Sequence, residues 1–250
     1  MKNIFYLLFF FPILVVGQTS TENYILTRKY NVESNIILPN AGVNEVVQNV
    51  TYFDGLGRPK QMVNSQQSKS GLDIVTHYEY DIYGRQIKQY LPYVSSSQPL
   101  TYKTGALNSI LNYYNTENYG YTLNPYSEKK IEPSPLNRVV QQAAPGNSWS
   151  LSNQKVIRTD YKNSTLTDSV KIFVVAANWD SSKGLYETPS SINSNDIYPD
   201  YRLNKTIVRD ENWVTLDPGH TTIEFTDKTG KTILKRVFNE SQKHDTYYIY

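Results

Sequence analysis

The chain has 250 residues, with 25 basic and 23 acidic side chains, a net charge of +2 and no cysteine. Near-balanced charge gives no electrostatic reason to expect nucleic acid or an anionic membrane as partner. The lack of cysteine excludes disulfides, thiolate catalysis, zinc–thiolate sites and a lipid-anchored cysteine.

Met1-Lys2-Asn3 begins the chain with a positive charge, and Ile4 to Val16 follow as an unbroken apolar run containing Pro12. Compact residues, Val15 and Gly17, precede Gln18. This layout predicts a secretory signal over 1–17, cleaved before Gln18. A membrane anchor is the poorer reading, because the run spans only about 20 Å of helix against a hydrocarbon core of roughly 30 Å. No later segment is apolar enough to cross a bilayer, so the mature chain is expected to be soluble, secreted or at the cell surface, with no membrane contact after cleavage. Residues 18–49 form a lead segment.

A repeat follows over 50–92. Val50-Thr51-Tyr52-Phe53-Asp54-Gly55-Leu56-Gly57-Arg58 has a relative in Thr76-His77-Tyr78-Glu79-Tyr80-Asp81-Ile82-Tyr83-Gly84-Arg85. Aligning Asp54 with Asp81 also aligns Gly57 with Gly84 and Arg58 with Arg85. Each copy predicts a β-hairpin. Aromatic and β-branched residues lead in, Asp caps backbone amides at the corner, Gly supplies a positive φ, and Arg opens the return strand. The composition agrees: 22 Tyr and abundant Asn, Ser and Thr suit pleated surfaces and turns.

Residues 93–221 are less regular and read as a β-rich insert. Ser95 to Pro99 is a loop, and the spacing of Leu107, Ile110, Leu111 and Tyr114 predicts a short helix near 106–114. Glu132 to Arg138 is too rich in proline for a central strand, with pairing resuming over Val139 to Gln142. Lys155 to Tyr161 and Ser169 to Val175 are expected as strands joined by a turn over Lys162 to Asp168. Ser181 to Asp196 is a loop, and Leu203 to Arg209 is a strand with Trp213 to Leu216 as its partner. Asp217-Pro218-Gly219 makes a turn. A third repeat copy lies in 222–250, with Asp227, Gly230 and Lys231 at the turn positions. Asp245 to Tyr250 then resembles the opening strand of a further, incomplete unit, which favours a fragment of a longer protein and an open sheet edge prone to aggregation. The fold class is mainly β: antiparallel hairpins side by side in an extended sheet, since one hairpin alone is marginally stable.

The units Tyr52-Phe53-Asp54 to Gly57-Arg58 and Tyr80-Asp81 to Gly84-Arg85 resemble the YD repeat of bacterial RHS proteins. The middle is similar to an uncharacterised domain near the N-terminus of some secreted RHS-repeat proteins, through Pro125-Tyr126-Ser127-Glu128, Glu132-Pro133-Ser134-Pro135-Leu136-Asn137-Arg138, Ala144-Pro145-Gly146 with Trp149, Asp210-Glu211, and Glu224 to Arg236. The resemblance implies the start of a large sheet wound into a hollow shell, which in the family often encloses or displays a C-terminal toxin or effector. Its implied partners are downstream RHS repeats or cargo of the same longer protein.

No catalytic, cofactor or metal residues are assigned. His77, His220 and His244 lack metal-ligand spacing; His77 reads as a sheet-surface residue, His220 and His244 as exposed. Neither a nucleophile elbow nor a phosphate loop is present. A non-enzymatic wall segment is therefore expected, with Asp54, Gly57, Arg58, Asp81, Gly84, Arg85, Asp227, Gly230 and Lys231 as turn formers. The alternative is an adhesin-like module for a cell-surface glycan or protein, suggested by Trp149, Trp179 and Trp213. Core packing between sheets is the more ordinary expectation for these tryptophans.

Overall fold

The computed structural model describes residues 21–38, 42–174, 177–187, 196–215 and 217–250; the signal expected over 1–17 lies outside them. The chain is mainly β, with every sheet pairing antiparallel and no closed barrel among the described residues. It divides into two compact units between Pro125 and Tyr126, inside the stretch expected as the insert.

The first unit is a sheet of β1 (Asn23–Tyr30), β2 (Val46–Phe53), β3 (Pro59–Asn64), β4 (Asp73–His77) and, after the short β5 (Lys88–Tyr90), β6 (Tyr93–Ser95). The hydrogen-bonded order is β1-β2-β3-β4-β6. Alternate residues turn inward, as a pleated strand requires: Val50 and Tyr52, Gln61 and Val63, Asp73 and Val75 are all buried. Register sets Val50 opposite Val63, Val63 opposite Val75 and Val75 opposite Tyr93. One apolar row thus crosses four strands. A single bridge between Tyr78 and Gln89 carries the second hairpin towards β5.

Residues 98–114 cover that face. The expected helix is α1 (Ala106–Tyr114), which buries Ala106 and Ile110. Ahead of it, Tyr52 Oη donates to the Leu100 carbonyl at 2.6 Å. Gln61, fully buried, brackets Lys103: its amide donates to the Lys103 carbonyl at 3.1 Å and accepts from the Lys103 amide at 2.7 Å. Lys103 then folds its ammonium onto Asp73 at 3.1 Å, with 4% and 1% of the two side chains exposed. Asp73 also accepts from the amides of Gln66 and Leu100. A polar knot therefore lies inside an otherwise apolar core, each buried group partnered as burial demands.

The second unit arranges seven strands in the order β7 (Tyr126–Ile131), β8 (Val139–Ala143), β9 (Ile157–Asn163), β12 (Asn204–Arg209), β13 (Thr221–Thr226), β14 (Thr232–Asn239) and β15 (Gln242–Tyr247). β10 (Asn178–Asp180) and β11 (Leu185–Glu187) form a separate small hairpin. Val170, Leu203, Phe225 and Leu234 make the core cluster, with Phe225 opposite Leu234 across β13 and β14. A 3-10 turn over Leu166–Asp168, closed by a Thr165–Asp168 capping box, lies beside it. Asp168 pairs with Lys205. Arg236, 5% exposed, forks onto Asp245 at 2.8 and 3.0 Å and donates to the Asp168 carbonyl at 2.9 Å.

Four expectations in this unit are corrected. Ser169 to Val175 is not a strand: its described part makes one bridge, Lys171 to Ile197, because Val170 drops into the core instead of extending a ladder. β9 consequently pairs with β8 and β12, and runs into the stretch expected as a turn. Leu185–Glu187, expected in a loop, is β11; residues 188–195 of that loop lie outside the described residues. The partner of β12 is β13, while Asp210 to Trp213 is a turn, with the Trp213 amide donating to the Asp210 carbonyl at 3.2 Å; Leu216 is outside the described residues. Asp217 makes the expected turn, its Oδ1 accepting from the Gly219 amide at 2.8 Å.

Candidate functional site

The residues singled out in the repeat build the same object three times. Asp54 Oδ1 accepts from the amides of Leu56 and Arg58, both at 2.9 Å, and Oδ2 accepts from Arg58 Nε at 2.7 Å. Asp81 does the same with Tyr83, Arg85 and the Arg85 guanidinium at 2.9, 2.8 and 2.8 Å. Asp227 takes the amides of Thr229 and Lys231 at 2.8 and 2.9 Å, with the Thr229 hydroxyl in place of the guanidinium. In each, the glycine three residues on returns its amide to the Asp carbonyl, at φ of +75°, +76° and +86° for Gly57, Gly84 and Gly230. Glycine adopts that region at no steric cost.

These bonds favour the ionised carboxylates. The Arg58 amide holds the Asp54 carboxyl below the usual range, ahead of a smaller opposing effect of burial. Burial opposes ionisation most at Asp81, but the Arg85 amide and guanidinium outweigh it. The Thr229 hydroxyl, then the Lys231 amide, lower Asp227.

A fourth turn of this kind escaped the sequence reading. Ser134-Pro135-Leu136-Asn137-Arg138 joins β7 to β8 in the frame of Asp54-Gly55-Leu56-Gly57-Arg58. Ser134 Oγ accepts from the Leu136 amide at 3.2 Å, and the Asn137 amide donates to the Ser134 carbonyl at 3.2 Å. Asn137 takes the glycine's place at φ +53°, as asparagine can. Serine carries no charge for Arg138, so the guanidinium forks onto Glu132 at 2.9 and 2.8 Å instead. The missed signal was the three-residue spacing from Ser134 to Asn137 followed by Arg.

The Arg138 guanidinium, helped by the Ser134 hydroxyl, holds Glu132 down to about 2, from an ordinary 4.5. A value lower in the folded state means that stability is complete above pH 4.5 and lost as pH falls through about 2. Between these limits the melting temperature of the wild type is expected to fall more steeply than that of Glu132→Gln. Parallel slopes in tryptophan-monitored melts would show that Glu132 is not responsible.

The turns also lock neighbouring strands together. The Arg58 guanidinium lies 4.5 Å from the centroid of Tyr80, and Tyr80 Oη donates to the carbonyl of Pro59, the residue after Arg58, at 2.9 Å. Arg138 lies 4.5 Å from the centroid of Tyr161, and Tyr161 Oη donates to the carbonyl of Val139, the residue after Arg138, at 3.2 Å. Lys231 sits 5.0 Å from the ring of Tyr250. Contact is close at the first lock: a Cβ on Gly84 would meet Arg58 Nη1 at 2.8 Å.

His77 ends β4, half-buried beside Tyr90 at 5.5 Å, and burial lowers its imidazole pKa. His220 is exposed and meets Asp210 at 2.9 Å. His244 is exposed on β15, as expected. Among the described residues no three His, Asp or Glu side chains gather as a metal site, and no helix is long and apolar enough to cross a membrane. The three tryptophans do not plug the core: Trp149 and Trp179 are 37% and 56% exposed. Trp213 is half-buried against the guanidinium groups of Arg158 and Arg209. Core packing would have hidden these indoles, whereas cation and aromatic neighbours hold them at the surface.

Residues 26–163 match a family model described as a domain of unknown function, DUF6443. No curated protein and no solved structure matches the chain.

Proposed function

We propose that this chain, which belongs to the DUF6443 family, is a non-enzymatic wall segment of an exported RHS/YD-repeat protein, a sheet that grows by adding hairpins. The observation that carries this reading is the lock just described: a basic side chain after one turn packs on a tyrosine in the next strand or just past its end, three times. Such a contact joins neighbours only, as stacked repeats require. Turn carboxylates spent on backbone amides and a neighbouring guanidinium act as structural fasteners. Export through the signal over 1–17 fits a composition without thiols, and downstream repeats or cargo of the same longer protein are the proposed partners.

The reading can be tested by growth. Tyr250, over Lys231, holds the place that Tyr80 holds over Arg58, and Asp81 follows Tyr80 directly. Appending a copy of residues 81–91 after Tyr250 is expected to form a new hairpin, raise the melting temperature and slow amide exchange along β15. A control with Asp and Gly of the appended turn changed to Ala and Val should do neither. Equal melting and exchange for both extensions would overturn the wall reading.

A further inference from the structure

The second unit contains a cavity of about 360 Å³ that no turn or lock uses. Trp149 and Ile157 line it and remain 37% and 39% exposed. Four polar side chains line it too: Ser127, Gln142, Lys155 and Glu211. None of the four makes a side-chain hydrogen bond or ion pair with another described residue; Lys155 Nζ lies 5.6 Å from the Trp149 ring centroid. These four side chains, set around one indole, are thus open to an outside partner.

The cavity is also firmly built. Ser127, Gln142 and Ile157 lie on adjacent strands β7, β8 and β9. Trp149 closes a 3-10 turn, its amide donating to the Gly146 carbonyl at 3.0 Å. Gly146 has φ +115°, and a Cβ there would come within 3.2 Å of the indole Cδ1, so glycine lets the ring sit. Glu211 rides on a turn pinned by Asp210, which accepts from the Asn212 amide at 2.8 Å and meets His220 Nδ1 at 2.9 Å. Rigid elements under the contact groups are what a binding site needs.

The ligand must match this mixture. A wholly apolar group would bury four polar side chains without partners, at a cost. A strongly charged one would meet Lys155 and Glu211 with opposite results. A pyranose ring fits both demands, with C–H groups on its face for the electron-rich indole and hydroxyls at its rim that both donate and accept. The volume lies in the range of small-ligand pockets, roughly 300–1,000 Å³. We propose that this cavity binds a neutral pyranose residue of a glycan, stacked on Trp149 and hydrogen-bonded by Ser127, Gln142, Lys155 and Glu211. This does not depend on the wall reading.

Fluorine NMR of the full chain carrying 5-fluorotryptophan tests it, since the three indoles give separate resonances assignable with Trp149→Phe and Trp179→Phe. Soluble oligosaccharides of glucose, N-acetylglucosamine and mannose serve as probes. At least one is expected to move the Trp149 resonance saturably while leaving that of Trp179 in place. Glu211→Gln and Gln142→Ala, whose unliganded spectra report intact folding, should each weaken binding about tenfold. The proposal fails if no sugar moves the Trp149 resonance at millimolar concentration, or if both variants bind like the wild type. It also fails if apolar tripeptides alone shift it, which would make the cavity a peptide site.

Discussion

Phe225→Ala is expected to lower the stability of the second unit by about 3–5 kcal/mol, the cost of truncating a fully buried aromatic. Phe225 has no exposed surface, packs among Val170, Leu203 and Leu234, and faces two cations. Lys205 and Arg236 each lie 5.7 Å from its ring centroid. Alanine would remove the apolar volume and the face on which these charges rest. Domains of this kind have roughly 5–15 kcal/mol in all, so the substitution should remove a large part of it. All three tryptophans, Trp149, Trp179 and Trp213, belong to the second unit. Urea unfolding followed by tryptophan fluorescence therefore reads this unit alone. A midpoint shift equivalent to less than about 1 kcal/mol would mean that the cluster is not the unit's core.

Asp73→Ala is the corresponding test of the first unit, with an expected cost of about 3–5 kcal/mol. The carboxylate binds the Lys103 ammonium and the amides of Gln66 and Leu100. Removing it leaves a buried cation with no counter-charge, only the Gln98 carbonyl and the Thr101 hydroxyl still accepting from it, and frees two amide donors, which costs more than the pair itself contributes. The double variant Asp73→Leu with Lys103→Met should recover much of the loss. This unit has no tryptophan, so its transition is read by far-ultraviolet circular dichroism. A double variant less stable than Asp73→Ala would show that the ion pair itself, and not the stranded charge, governs the effect.

Features set by neighbours in sequence were legible. α1 followed from the spacing of Leu107, Ile110, Leu111 and Tyr114, and the turns at Asp54, Asp81 and Asp227 followed from residues whose partners lie two to four positions away. The turn at Ser134 was hidden because serine and asparagine do the work of aspartate and glycine under different letters. Pairing over distance was not legible. β9 meets β12 across more than 40 residues, and nothing local in Ser169 to Val175 tells a strand from a segment whose Val170 fills the core. Gln61, Asp73 and Lys103 are polar types at inward positions, so their burial becomes visible only once Lys103 comes back over β3 and β4. The Trp149 cavity likewise assembles groups from three strands and two turns.

The lock between Arg58 and Tyr80, repeated by Arg138 and Tyr161, bears on inheritance. Both halves of the joint are carried within one hairpin's worth of sequence: the basic residue opens its first strand, and the tyrosine lies in or just past its second. An in-frame duplication or loss of one such stretch adds or removes a whole joint, without new compensating substitutions. Unequal recombination between copies can therefore lengthen or shorten the sheet in single steps, and lineages are expected to differ by whole hairpins.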